Sequence, residues 1–203
     1  MFPFTSNKIV HSEKKKLYYS YSSESPAEDQ VHEMSFLLRR LYNSFDNEII
    51  FLCIGSDRST GDSYGPFVGT MLTDNQFPHH VFGTIEKPVH ALNLKSVLLE
   101  INSRFTKPII FSVDACLGDH HQIGSILLKE GPLVPGYAIN NPLPEVGTYH
   151  LKAVVNYLDP IFPTSSLNNT RLDTVMNLAK VTSSIILNSV GNTSNKKMTT
   201  NHS

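Results

Sequence analysis

The sequence has little of what would assign it to an oxidising compartment or to a membrane. Its two cysteines, Cys53 and Cys116, lie in or beside apolar runs, which excludes a disulfide framework and indicates buried free thiols. No stretch approaches the roughly 20 consecutive apolar residues that a membrane-spanning helix needs. Residues 1–10 also lack the continuous apolar core of a signal peptide. We therefore expect a cytoplasmic protein with no membrane partner.

Charge of either sign is also scarce. Charged residues make up 17% of the chain, and the formal net charge is −1 at pH 7. The basic run at residues 14–16 falls in a polar stretch, where a solvated segment is the expected structure. A chain with so little excess positive charge lacks the electrostatic footprint of a nucleic-acid-binding protein. We expect no nucleic-acid partner, and the sequence carries no signature of an oligomeric state.

The length and composition predict one domain. A chain of 203 residues with 40% hydrophobic content is long enough to bury one sizeable core. Residues 1–24 are rich in Ser, Lys and Tyr and lack apolar periodicity, so we predict a loosely ordered leader. Residues 25–191 are predicted to form the single domain, and residues 192–203 to form a disordered polar tail.

Buried strands alternate with helical patterns in the first part of the chain. Residues 49–54 and 109–113 are apolar enough to be strands buried on both faces, and a short strand is predicted at residues 81–84. Apolar residues at helical spacing predict helices within the ranges 25–45, 65–72 and 93–104. This βαβαβ order is typical of α/β proteins.

The last third of the chain has a different pattern. Residues 122–128 partly alternate between polar and apolar, which predicts a strand. Residues 132–147 concentrate Pro and Gly and predict an extended loop or short hairpin over a crevice. Apolar spacing predicts a helix over residues 149–158. A final helix is predicted to begin at Asn168 or Asn169 and to end at Gly191.

Two acidic residues follow the two buried strands. Asp62 comes after the loop that follows residues 49–54, and Asp114 comes directly after residues 109–113. Right-handed crossovers would bring both acids to the carboxyl edge of one parallel sheet, where ligands usually bind. Two carboxylates in a partly dry crevice either divide the roles of acid and base or jointly bind a metal ion. The alternative is structural: Asp62 caps the following helix, and Asp114 closes a turn.

The loop around Asp62 supplies further candidates. Its candidate substrate-binding residues are Ser56, Asp57, Arg58 and Ser63. For Asp57 and Arg58, an exposed ion pair of little energetic value is the alternative. The Gly-Asp-Ser sequence that ends in Ser63 invites comparison with serine hydrolases. The partner motif D-x-x-H, however, occurs only at Asp29–His32, in the first predicted helix.

Histidines supply candidate metal ligands and proton carriers. His120 lies in a polar loop soon after the second buried strand, so we consider it a metal ligand together with Asp62 and Asp114. The alternative for His120 is a solvated side chain. His90 and His150 have no partner visible in the sequence and are weaker candidates.

Three segments carry a family resemblance: FLCIGSDRSTGDSYGP, FSVDACLG and GPLVPGYAINNPLPEVG. Together they resemble the YyaC-type sporulation proteins of spore-forming Firmicutes, a family of unknown function, over about residues 48–190. More distantly, the chain is similar to the germination protease of spores and to hydrogenase maturation endopeptidases. This resemblance implies a three-layer α/β/α sandwich with a mainly parallel sheet, the phosphorylase/hydrolase-like fold.

The same resemblance implies roles for the two acids. The two functional acids of the germination protease match Asp62 and Asp114, which implies a catalytic aspartate pair that requires no cofactor. Ser56 stands where the protease has Asn, and Gly61 stands where it has Pro. In the hydrogenase maturation group the equivalent acids bind nickel with a His. That similarity implies a divalent metal, nickel or zinc, as the alternative.

These observations predict a spore-associated endopeptidase. It would use the aspartate pair to hydrolyse a peptide bond of a protein or peptide substrate in sporulation or germination, inside the spore or the sporulating cell. One alternative is a non-catalytic relative that holds a peptide or protein in the crevice. The other is a metal-dependent hydrolase of the maturation type.

Overall fold

The computed structural model describes residues 17–21, 27–136 and 143–190, with side chains described from residue 28 onward. The strands are β1 (Leu17–Tyr21), β2 (Ile49–Cys53), β3 (His80–Phe82), β4 (Ile109–Gly118), β5 (Ile126–Glu130) and β6 (Tyr149–Tyr157). The helices are α1 (Ala27–Tyr42), α2 (Tyr64–Asp74), α3 (Leu94–Arg104), α4 (Pro163–Asn168) and α5 (Leu172–Ser189). Short 3₁₀ turns occupy Gly61–Ser63 and His120–Gln122. Within the described residues, no helix has both the length and the apolar character that crossing a membrane requires.

The strands form one mainly parallel sheet in the order β1-β5-β6-β4-β2-β3. The four strands β6, β4, β2 and β3 are parallel to one another. Strand β5 is antiparallel to both β6 and β1. Helix α2 connects β2 to β3, and α3 connects β3 to β4, as the βαβαβ pattern predicted.

Both faces of the sheet are covered, so the fold is the expected three-layer α/β/α sandwich. In β2, Ile49 and Phe51 belong to one apolar cluster, whereas Ile50 and Leu52 belong to a second cluster on the opposite face. The first cluster includes residues of α1, α2 and α5, and the second includes residues of α3. Because successive strand side chains point to opposite faces, the uninterrupted apolar run of β2 is explained by burial on both sides.

An aromatic row fixes the register of the central strands. Phe51, Phe111 and Tyr149 are paired neighbours on β2, β4 and β6. The ring centroids of Phe51 and Phe111 are 5.3 Å apart, and those of Phe111 and Tyr149 are 5.1 Å apart. Such cross-strand aromatic pairs stabilise one register over its alternatives. In this register Asp114 of β4 pairs with Lys152 of β6.

The helix predicted over residues 149–158 is wrong, because this segment is strand β6. Its buried residues Leu151, Val154 and Val155 fit a helical spacing, but they also fit a strand buried on both faces. Strand β6 lies between β4 and β5 and is hydrogen-bonded to both. Tertiary pairing and the β-branched pair Val154–Val155 therefore decide the structure here.

Three other predicted boundaries differ from the structure. Residues 17–21, within the predicted leader, form strand β1 and pair with β5, while the rest of that leader lies outside the described residues. The predicted strand over 122–128 begins only at Ile126. Asn168 ends α4 instead of starting the last helix, which begins at Leu172. The bridge between Leu133 and Val146 closes the base of the predicted loop over residues 132–147. Its residues 137–142, like the tail from residue 191, lie outside the described part of the chain.

Candidate active site

Asp62 is positioned by a loop that folds back tightly on the end of β2. Gly55 has a φ of +141°, and a Cβ at this position would lie 1.9 Å from the Asp62 carbonyl oxygen. The same carbonyl accepts a hydrogen bond of 3.2 Å from the Ser56 N–H. Only glycine combines this φ with this close approach. The N-cap position of α2 belongs to Ser63, so Asp62 is not the N-cap residue that the structural alternative required.

Asp114 lies inside strand β4 and not at its end. The prediction ended this strand at Val113, but the ladder with β6 continues through Asp114 to Gly118. The side chain of Asp114 is almost fully buried, with 8% relative exposure. Turn closure, the structural alternative for this residue, is therefore excluded.

The two acids line the same space. One cavity of about 210 Å³ is lined by both acids together with residues such as Ser56, Arg58 and His90. A second cavity of about 220 Å³ is lined by both acids together with residues such as Cys116 and Lys152. Asp62, Asp114 and Gly136 line both cavities and lie between them. The fold therefore brings together the two carboxylates that the sequence singled out.

The electrostatics of this site keep a proton available near neutral pH. Burial, with a smaller contribution from the nearby Asp62 carboxylate, raises the pKa of Asp114 to about 7, against the opposing charge of Lys152. Burial also raises the pKa of Asp62, although the Ser56 N–H and the nearby His90 oppose this. Two interacting carboxyl groups with raised pKa values favour a state in which one is ionised and the other is protonated.

His90 is a site residue for which the sequence offered no partner. It reaches the cavity because Val89 forms a parallel bridge with Ile54, and the Val89 carbonyl accepts a hydrogen bond from the Gly55 N–H. The His90 Nδ1 accepts a 3.2 Å hydrogen bond from the Leu92 N–H. Since Nδ1 is occupied as an acceptor, Nε2 is the ring nitrogen that carries a proton. His90 reaches the site through a pairing between residues that are distant in the sequence, and no local pattern reveals such a pairing.

Lys152 is a site residue that the sequence reasoning missed. The predicted helix over residues 149–158 gave Lys152 no relation to the acids. In the structure, Lys152 faces Asp114 across the parallel ladder, and both line the 220 Å³ cavity. Only the register between β4 and β6 places Lys152 beside Asp114, and no local pattern reveals it.

Two of the four predicted substrate-binding residues line the cavity and two do not. Ser56 and Arg58 line the 210 Å³ cavity, and the Ser56 hydroxyl accepts a hydrogen bond of 3.1 Å from the Arg58 N–H. Asp57 is exposed and lines neither cavity. Ser63 is buried, and its hydroxyl donates a hydrogen bond of 2.6 Å to the Thr60 carbonyl. The structure therefore assigns Ser63 a role in the 3₁₀ turn.

The predicted metal ligands are not assembled. The exposed His120 ring stacks on Tyr157 with centroids 4.0 Å apart, and His120 lines neither cavity that contains Asp62 and Asp114. Across the described ranges, no three His, Cys, Asp or Glu side chains are grouped to hold a metal ion. Burial raises the pKa of Cys116 to about 11, so its thiol is protonated at neutral pH. These residues do not fit the nickel or zinc site of the metal alternative.

Comparison with known proteins identifies the family. The family described as "Protein of unknown function (DUF1256)" matches residues 20–185, which include every strand from β2 to β6 and both site acids. The chain is also similar to the "Uncharacterized protein YyaC" of Bacillus subtilis (strain 168). The two are 40% identical over 170 residues, which cover 83% of this chain and 81% of the relative. The chain therefore belongs to the DUF1256 family, the family of YyaC.

Proposed function

We propose that this protein is an endopeptidase that hydrolyses a peptide bond with the Asp62 and Asp114 pair. The observation that carries the proposal is that two carboxyl groups with raised pKa values line the same cavities. The cavities lie at the carboxyl side of β2, at the place where an α/β sheet usually binds its ligand. The resemblance to the germination protease supports the same two residues and the same reaction class.

The pair supplies an acid and a base at the same pH. The ionised carboxylate accepts a proton from a water molecule, whose oxygen attacks the peptide carbonyl carbon. The protonated carboxyl group donates its proton to the departing nitrogen as the C–N bond breaks. The products are one carboxylic acid and one amine, and the pair again holds one proton. We describe the pair as a coupled dyad, because the proton belongs to both acids.

Other cavity residues would hold the substrate carbonyl. His90, whose Nδ1 accepts a hydrogen bond from the Leu92 N–H, has its Nε2–H available as a donor. Arg58 lines the same 210 Å³ cavity and adds a guanidinium group. Donors in such a site stabilise the negative charge that develops on the carbonyl oxygen during attack.

The place of action and the partners follow from the resemblance. The YyaC-type sporulation proteins suggest that the substrate is a protein or peptide of the spore or the sporulating cell, in the cytoplasmic space. A formal net charge of −1 gives no electrostatic support for a nucleic acid or an anionic membrane as partner.

The proposal is tested by incubating the purified protein with a spore extract and identifying new peptide termini by mass spectrometry. We expect new termini with the wild type and a loss of at least about 100-fold in their rate with Asp62→Asn or Asp114→Asn. Asp46→Asn, which removes an exposed carboxylate, is the matched control and should cleave at the wild-type rate.

Three outcomes would contradict the proposal. Unchanged cleavage by both Asn variants would exclude the aspartate pair. Cleavage that is abolished by EDTA and restored by zinc or nickel would favour the metal-dependent alternative. If the wild type produces no new termini, the non-catalytic binding alternative is favoured.

A further inference from the structure

The cavity on the Lys152 side of the acid pair has mainly apolar walls. Its volume is about 220 Å³, and its lining includes five apolar side chains that come from β4 and from the segments that follow β5 and β6: Ala115, Leu117, Val134, Leu158 and Leu167. Its polar lining groups are the two acids, Lys152 and the thiol of Cys116. The cavity on the other side of the pair instead contains Arg58, His90 and Ser56. That cavity is also lined by apolar residues such as Ile54, Leu92 and Leu143, so the two sides of the acid pair differ in their polar groups and not in apolar character.

Leu158, which lines this cavity, is followed in the chain by two further exposed apolar residues. Leu158 is 43% exposed, and the segment that follows presents Ile161 at 75% and Phe162 at 63% exposure. This segment is ordered by the Asp159 carboxylate, which accepts hydrogen bonds from the Ile161 N–H (2.8 Å) and the Phe162 N–H (2.9 Å). Two exposed apolar side chains in a hydrogen-bonded turn, close in the chain to a third that lines a cavity, are typical of a binding surface.

We propose that this cavity is a subsite for one apolar side chain of the polypeptide substrate, with Leu158, Ile161 and Phe162 contacting the neighbouring substrate residue. The inference rests on the proposed function, because it places the substrate backbone across Asp62 and Asp114. An apolar cavity of about 150 Å³ accommodates benzene. A cavity of about 220 Å³ therefore has room for the side chain of Leu, Ile or Phe.

A specific side-chain preference follows. Burial of a Leu or Phe side chain in this cavity should strengthen substrate binding at least about tenfold. The preferred substrates should therefore carry Leu, Ile or Phe at one fixed position next to the cleaved bond. Asp or Lys at that position should be rejected, because a further charge would lose its solvent shell beside Asp62, Asp114 and Lys152.

The first arm of the test measures cleavage. Wild type, Leu158→Lys and Leu99→Lys are compared on the same spore extract, with the residues that flank each new terminus counted. Leu99 is 72% exposed on α3, on the opposite face of the sheet from α5, and is the matched control. We expect an apolar residue at one flanking position with the wild type and with Leu99→Lys. Leu158→Lys should cleave those sites at least about tenfold more slowly.

The second arm measures binding and separates the two proposals. The probes are two fluorescein-labelled pools of acetylated octapeptide amides, one with Phe and one with Ser fixed at the fourth position. We expect the Phe pool to bind the wild type at least about tenfold more tightly, and Leu158→Lys to remove this difference. Phe162→Lys, at a largely exposed position where folding is not at risk, should weaken the Phe pool about threefold.

The outcomes are distinguishable. If the wild type cleaves without any apolar preference, the subsite is wrong and the proposed function stands. If the wild type does not cleave but shows the Phe preference and its loss in Leu158→Lys, the proposed function fails and the subsite stands. If the two pools bind equally, or if Leu158→Lys retains the preference, the subsite is wrong.

Discussion

At the scale of single residues, Asp114 is the least expected side chain of the sheet. It lies in the middle of β4 with 8% exposure, and burial raises its pKa to about 7. A buried carboxylate destabilises a fold unless its charge is compensated. Lys152 compensates it in part, while Asp62 acts in the opposite direction. Titratable groups in such conflicting surroundings cluster at functional sites.

Replacing this acid should stabilise the protein, but only at high pH. The folded-state pKa of Asp114 is raised from the ordinary 3.8 to about 7. Its contribution to stability is therefore complete below pH 3.8 and is lost as the pH rises through 7. Asp114→Asn removes this loss, so its free energy of unfolding at pH 8 should exceed that of the wild type by up to about 4 kcal/mol. At pH 4 the difference should be small.

Urea unfolding at the two pH values measures this prediction. Asp46→Asn, at an exposed carboxylate, should behave as the wild type at both. A difference between Asp114→Asn and the wild type that is the same at pH 4 and pH 8 would contradict the raised pKa.

The charge of Lys152 should matter through Asp114. Lys152→Met removes the cation that lowers the pKa of Asp114, so this pKa should rise further and the ionised form should become more costly. We expect Lys152→Met to lower the free energy of unfolding at pH 8 by about 1–2 kcal/mol and to change it little at pH 4. Lys152→Arg should retain most of the wild-type value.

The same unfolding series with Lys95→Met provides the control, because Lys95 is exposed on α3. Equal losses in Lys152→Met and Lys152→Arg would indicate that Lys152 acts through packing alone.

At the scale of elements, the loop between β2 and α2 depends on one glycine. A Cβ at Gly55 would meet the Asp62 carbonyl oxygen at 1.9 Å, and the φ of +141° is unfavourable for any other residue. Gly55→Ala should therefore lower the free energy of unfolding by about 2–4 kcal/mol. It should also reduce peptide cleavage by more than the loss of folded protein explains, because Asp62 moves.

Thermal unfolding and cleavage assays of Gly55→Ala, each corrected for the folded fraction, separate the two effects. If Gly55→Ala cleaves peptides at the wild-type rate per folded molecule, the position of Asp62 does not depend on this contact.

The sequence predicted those parts of the site that depend on local pattern. Asp62 and Asp114 were found because each comes after a run of apolar residues that predicts a buried strand. His90 was only a weaker candidate and Lys152 was not found, because they reach the site through the Ile54–Val89 bridge and the β4–β6 register. Strand β6 was predicted as a helix because a strand buried on both faces has no periodicity of its own.

At the scale of the whole molecule, the sheet is completed by a segment that the sequence did not mark as structured. Strand β1 covers the open edge of β5, which itself flanks β6 and Lys152. An uncovered edge strand exposes unpaired backbone groups and promotes association. Deleting residues 1–21 should therefore lower the thermal midpoint by several degrees, about 4 °C or more, and cause concentration-dependent association.

Calorimetry and size-exclusion chromatography of the truncated and full chains test this prediction. A truncated chain with an unchanged midpoint that remains in its original oligomeric state would mean that β1 contributes nothing to the fold.

The proposed catalytic mechanism requires that Asp62 and Asp114 form one coupled site. The most direct test is a pH titration of the protein with ¹³C-labelled aspartate, in which NMR follows the carboxyl carbon of Asp114. We predict a midpoint near 7 in the wild type and a lower midpoint in Asp62→Asn, because the neighbouring carboxylate is removed. An Asp114 midpoint near the ordinary value of 3.8, unaffected by Asp62→Asn, would contradict the account.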